Sequence, residues 1–179
     1  MWRIPKGDRV VEQEEDRGRN VLDLDPDEKQ RIERANQTFL RLRKELHDQG
    51  SQFAERDVRE AAQSARWLRE IIEQHPGDWE QAYEGALASS DLDKEDEAYL
   101  RKAVEDVGGF SSFARRNLRR LEEAAPGERG QPDDAAEITR QDLMCGVVAG
   151  LVVGGIATGN SFYFGFGVGM ARKADCWQT

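Results

Sequence analysis

The chain has 179 residues, of which 34% are charged and 38% hydrophobic, and its formal net charge is −9. That length leaves room for one ordinary domain with extensions. The excess of acid argues against nucleic acid as a partner, because binding a phosphate backbone requires a positive field.

The charge is unevenly placed. Between Asp142 and Arg172 the only ionisable side chains are Cys145 and Tyr163. Arg172 and Lys173 against Asp175 give residues 143–179 a formal +1, so residues 1–142 carry −10. Four regions follow: an acidic mobile arm over 1–24, a helical bundle domain over 25–125, a linker over 126–135, and a glycine-rich apolar segment over 136–179. The opening MWRIPKGDRVVEQEED contains no apolar run of the signal-peptide kind, which predicts that the helical region begins its life in the cytosol.

Order is predicted to begin at Leu24-Asp25-Pro26-Asp27-Glu28, where Asp25 can cap a helix, Pro26 suits its first position and Glu28 completes a capping box. Ile32, Ala35, Phe39, Leu42 and Leu46 then step by 3, 4, 3 and 4, the spacing of a helix–helix seam, and Gly50 stops the run. A second helix is predicted from about Ser51 to His75, with its seam on Ala54, Val58, Ala61, Ala65, Leu68 and Ile72. So short a connection predicts an antiparallel helical hairpin.

Three shorter helices follow. Asp78 is expected to cap the first, through Trp79, Tyr83, Ala86 and Leu87; the second begins near Asp93 and presents Leu100, Val104 and Val107. After Gly108-Gly109 the third begins at Ser111 or Ser112 and carries Phe113, Ala114, Leu118 and Leu121. Proline, glycine and charge dominate 126–132, a linker composition. The fold class read from this pattern is all-α.

The C-terminal segment runs 29 residues, Leu143 to Ala171, without a fixed charge. A bilayer-spanning helix needs roughly 20 apolar residues. Gly146, Gly150 and Gly154 form a GxxxGxxxG ladder, and Gly155 with Gly159 offers another pair; such stripes let a second backbone approach closely. The reading is a glycine-zipper helix that packs against membrane lipid, a partner helix or a second copy of the chain, with the alternative that it packs on its own domain. From Phe162 to Met170, apolar residues alternate with Tyr163 and glycines, so 161–171 reads either as a short strand or as further helix. Arg172 and Lys173 after the segment favour a cytosolic C-terminus, and the unsignalled N-terminal region also favours the cytosol, so a membrane-attached tail would have to enter and return, lie in the interface or violate the positive-inside rule. Cys145 and Cys176 bracket the segment: a disulfide between them and two separate thiols are both open.

Chemistry is sparse. His47 and His75 fall near helix C-termini, where a cation or donor is favoured. No nucleophile motif, phosphate loop or metal-ligand spacing occurs, so no catalytic residue, metal, cofactor or small-molecule substrate is expected. Arg115, Arg116, Arg119 and Arg120 form a basic stripe that is open to an anionic partner or to internal pairing with glutamates.

Three functions are compatible with this pattern. The first is a non-enzymatic interaction protein with a cytoplasmic helical domain, tied to a membrane or an oligomer by its tail. Residues from about 133 onward, with their glycines, two cysteines, few charges and GxxxG repeats, are similar in composition to unmodified bacteriocins and to some halocins. That resemblance implies a membrane-active peptide secreted after processing from a solubilising helical region. It lacks a double-glycine leader at the expected place, since Gly154-Gly155 lies inside the apolar run. The third is a soluble interaction module whose tail folds onto the bundle.

Overall fold

The computed structural model describes residues 22–49, 55–75, 77–123 and 140–177. Among these residues there are seven helices and no strand: α1 (Pro26–Gln49), α2 (Glu55–Gln74), α3 (Asp78–Ser89), α4 (Lys94–Asp106), α5 (Phe110–Glu123), α6 (Arg140–Thr158) and α7 (Ser161–Ala174). The chain is all-α, as its periodicity predicts. The expected arm up to residue 21 and the linker 126–135 lie outside the described residues. Leu22 and Leu24, at the end of that arm, are buried against the bundle.

The start of α1 is the expected capping box. Glu28 N–H donates to Asp25 Oδ1 at 2.8 Å, and Asp25 N–H donates to Glu28 Oε1 at 3.1 Å, which satisfies two of the donors a helix start leaves open. Ile32, Ala35, Phe39, Leu42 and Leu46 are all buried, as are Val58, Ala61, Ala65, Leu68 and Ile72 of α2. Arg41 of α1 reaches Asp57 and Glu60 at the start of α2, whereas Arg31, nearer the start of α1, lies over the Trp67 ring, 5.6 Å from its centroid. The contacts therefore run in opposite directions along the two helices.

Asp93 caps α4, its Oδ1 accepting from Asp96 N–H at 2.7 Å. Asp78, by contrast, is the first residue of α3, and its preceding cap, Gly77, supplies no side chain. Gly108 and Gly109, both at positive φ, turn the chain from α4 into α5. That turn brings the N-terminus of α5 against α3, where Glu80 accepts from the N–H groups of both Phe110 and Ser111 at 2.9 Å. A carboxylate is favoured there by the open N–H groups and by the helix dipole. The rings of Tyr83 and Phe113 both pack on buried Phe110, at centroid distances of 5.0 and 5.8 Å.

One hydrophobic cluster spans all seven helices, and α6 lies in the middle of it, touching α1, α2, α3, α5 and α7. α6, the most apolar stretch of the sequence, is thus the inside of the bundle. Arg69 ties α2 to α5 by two hydrogen bonds to Glu122, at 2.6 and 3.0 Å, and this half-buried contact pushes the Arg69 pKa up.

Glu80→Ala is expected to lower the stability of the bundle by about 1–2 kcal/mol, because two N–H groups at the start of α5 lose their acceptor. Urea denaturation monitored by helical circular dichroism measures this, and Glu80→Gln should fall between the two.

Candidate functional site

Four glycines in α6 make it a poor helix by propensity, each about 1 kcal/mol worse than alanine. Tertiary contact compensates for this, and the glycines are where it occurs. A Cβ on Gly146 would lie 3.0 Å from Leu121 Cβ of α5, and one on Gly150 would lie 2.7 Å from the Phe39 ring of α1. A Cβ on Gly154 would overlap the Asn36 amide of α1. The ladder Gly146-Gly150-Gly154 therefore admits two helices of the same chain. Gly155 faces the other way: its Cβ would stand 2.6 Å from Phe164 N. From α7, Gly167 answers it, pressed against Val148 and Val152 of α6.

Gly159 plays a different part. It ends α6 in the left-handed region at φ 69°, and Asn160 N–H closes the turn on Gly155 O at 2.8 Å. Asn160 then caps α7, its Oδ1 accepting from Tyr163 N–H at 3.2 Å. The short strand offered for 161–171 is not what forms. Phe164, Gly167, Val168 and Ala171 are the buried set, a helical spacing that the alternation of aromatics with glycines concealed. Gly165 and Gly169, which that alternation places with Gly167 on one bare face, meet nothing closer than 3.8 Å.

Asn36 is fully buried, and its amide nitrogen and oxygen have no hydrogen-bond partner among the described residues. Each such orphan costs about 1–3 kcal/mol. It therefore burdens the α1–α6 contact at the point of closest approach.

The open end of the α6–α7 pair is fastened by a disulfide between Cys145 and Cys176, with Cα atoms 5.3 Å apart. Gln141 Nε2 adds a hydrogen bond to Ala174 O at 2.7 Å. Trp177, next after Cys176, is buried between Tyr99 of α4, stacked at 5.8 Å, and Phe113 of α5, edge-on at 4.8 Å. Trp177 N–H donates to Tyr99 Oη at 2.7 Å, and that hydroxyl donates on to Ala171 O at 3.4 Å. Burial pushes the Tyr99 pKa up, against the opposing effect of the Trp177 N–H. Arg172 reaches Asp96 and Glu95 at the start of α4, so the C-terminal end of α7 is held by ion pairs.

The arginine stripe divides. Arg120 pairs with Asp142 of α6 at 2.9 Å, whereas Arg115, Arg116 and Arg119 form no ion pair among the described residues. His47 lies 3.0 Å from Asp48 and His75 lies 3.9 Å from Asp78, both beside helix ends. Among the described residues no group of three or more His, Cys, Asp or Glu could hold a metal. At the turn between α6 and α7, Phe162 is 63% exposed and stacks on Phe166, whose other neighbour is the Arg43 guanidinium, 5.0 Å from the ring centroid.

No family model, curated protein or solved structure matches the chain. Function must therefore be argued from these contacts. Sequence patterning marked the ladder, the cysteines and the arginines. It did not mark Gly167, Asn36 or Trp177, which complete the same site.

With the cysteines 31 positions apart in sequence, removing the bond in a Cys145→Ala/Cys176→Ala chain should lower stability by about 3–4 kcal/mol, on a loop-entropy estimate. Urea midpoints of the two proteins check this, and reductant should shift only the midpoint of the wild type.

Proposed function

We propose that this is a non-enzymatic helical interaction protein whose glycine-rich segment is an internal packing element. The observation that carries the reading is the occupancy of the ladder: Leu121, Phe39 and Asn36 cover Gly146, Gly150 and Gly154. A glycine stripe already filled by helices of its own chain is not free to bind a partner helix or a second copy. The surface proposed for a partner is the side of α5 that carries Arg115, Arg116 and Arg119, which form no ion pair among the described residues and suit an acidic protein.

A second reading, membrane attachment, has one observation in its favour. Gln141–Thr158 is long and apolar enough to cross a bilayer by length and composition. Against it, 83% of that window is buried inside the bundle, as in the core helix of a water-soluble protein. Attachment would require α6 and α7 to leave α1 and α5 and expose the core those helices share.

Carbonate-washed membrane fractionation of the full-length chain separates the readings. The expected result is intact protein in the wash, at its full mass. Retention in the washed pellet overturns the packing reading in favour of attachment. A C-terminal fragment released from the remaining chain would favour the processed-peptide reading instead.

A further inference from the structure

The two sulfurs of the disulfide have different surroundings. Cys145 is 1% exposed, in a turn of α6 surrounded by the core, whereas Cys176 is half-buried. Cys176 forms part of the wall of a depression of about 260 Å³, together with Val107, Arg116, Asn117, Arg120 and Trp177. Two of its lining residues are arginines. Arg120 is partly neutralised by Asp142, at 2.9 Å, but Arg116 is exposed and unpaired among the described residues. Arg115 and Arg119 of the same helix add to the positive field. Trp177, which also lines the depression, is itself buried. Cationic side chains and a half-buried cysteine of the disulfide thus meet in an otherwise acidic protein.

We propose that the Cys145–Cys176 disulfide is a thiol–disulfide exchange site, entered at Cys176 by small anionic thiols that bind in the depression beside Arg116. The reacting species is the thiolate of a small, carboxylate- or sulfonate-bearing thiol. It attacks Cys176 Sγ, forming a mixed disulfide on Cys176 as the Cys145–Cys176 bond breaks; the electron pair leaves on Cys145 Sγ, which takes a proton from water. A second thiolate attacks the small-molecule sulfur of the mixed disulfide, forming the oxidised dimer of the small thiol and releasing Cys176 as thiolate. Two small thiols are oxidised and the protein disulfide is reduced by two electrons. The guanidinium groups attract the anionic reagent and hold its acid group, while burial shields Cys145 from direct attack. The site shares Arg116 with the partner surface proposed above but needs no partner protein, so the purified chain alone tests it.

The test compares three probes on the folded full-length protein: 2-mercaptoethanesulfonate, 2-mercaptoethanol and cysteamine. Each rate is normalised to the rate of the same thiol, at the same thiolate concentration, with a linear peptide disulfide. Trapping with iodoacetamide and peptide mass mapping identify which cysteine carries the adduct. The expected result is an adduct on Cys176 and a normalised preference of about tenfold for the sulfonate over the ammonium thiol, of the order that electrostatic steering supplies. In Arg116→Gln, with its helical spectrum unchanged, that preference should fall severalfold, and added salt should have the same effect on the wild type. An adduct on Cys145, a normalised preference near one, or an Arg116→Gln protein with the wild-type preference would each overturn the proposal.

Discussion

The close approach of α1 to α6 is the contact on which the bundle depends. Only a bare backbone at residues 150 and 154 leaves room for the Phe39 ring and the Asn36 amide, and both glycines lie in a helix that has no strong reason to form alone. The helix and its neighbours therefore stabilise each other. α1 requires the glycines for its buried face, and α6 requires α1 to cover a backbone that would otherwise be exposed. The second bare face, at Gly155, does the same for α7 through Phe164 and Gly167. A helix with glycine on two sides can be approached closely from two sides, which is how α6 comes to occupy the middle.

The two ends of the α6–α7 pair are held by different means. At the turn, Gly159 and Asn160 fix the geometry through backbone conformation and a side-chain cap. At the open end the disulfide, the Gln141 bond and the Arg172 ion pairs fasten α7 and place Trp177 between Tyr99 and Phe113. Aromatic contact of that kind adds about 0.5–1.5 kcal/mol per pair beyond burial. A disulfide ordinarily belongs to an oxidising compartment.

Much of the helical framework is legible in the sequence because it rests on local rules. The seam positions of α1 and α2 follow from 3- and 4-residue steps, and the Asp25–Glu28 and Asp93 caps are signals spread over four residues. What is not legible joins distant parts of the chain. Glu80 caps a helix that starts 30 residues later, and no local pattern marks it as more than a surface carboxylate. Asn36 stands next to Ala35 on the seam but is polar, so periodicity passes over it. Residues 162–170 alternate as a strand would, yet α6 offers them a helical groove rather than a sheet edge. The ladder itself was visible; its occupant was not. A glycine stripe specifies close approach without specifying whose helix approaches, since it presents no side chain to recognise.

The most direct measurement is a double-mutant cycle between Gly154 and Asn36, read by urea denaturation. If α1 of the same chain fills the ladder, Gly154→Ala destabilises the protein by about 1–3 kcal/mol through overpacking. In an Asn36→Ala background the same change should become neutral or stabilising, because alanine is the better helix former once the amide is gone. A coupling of at least about 1 kcal/mol is the predicted result. Strictly additive effects would contradict it, and would mean that α6 presents its glycines to something other than α1.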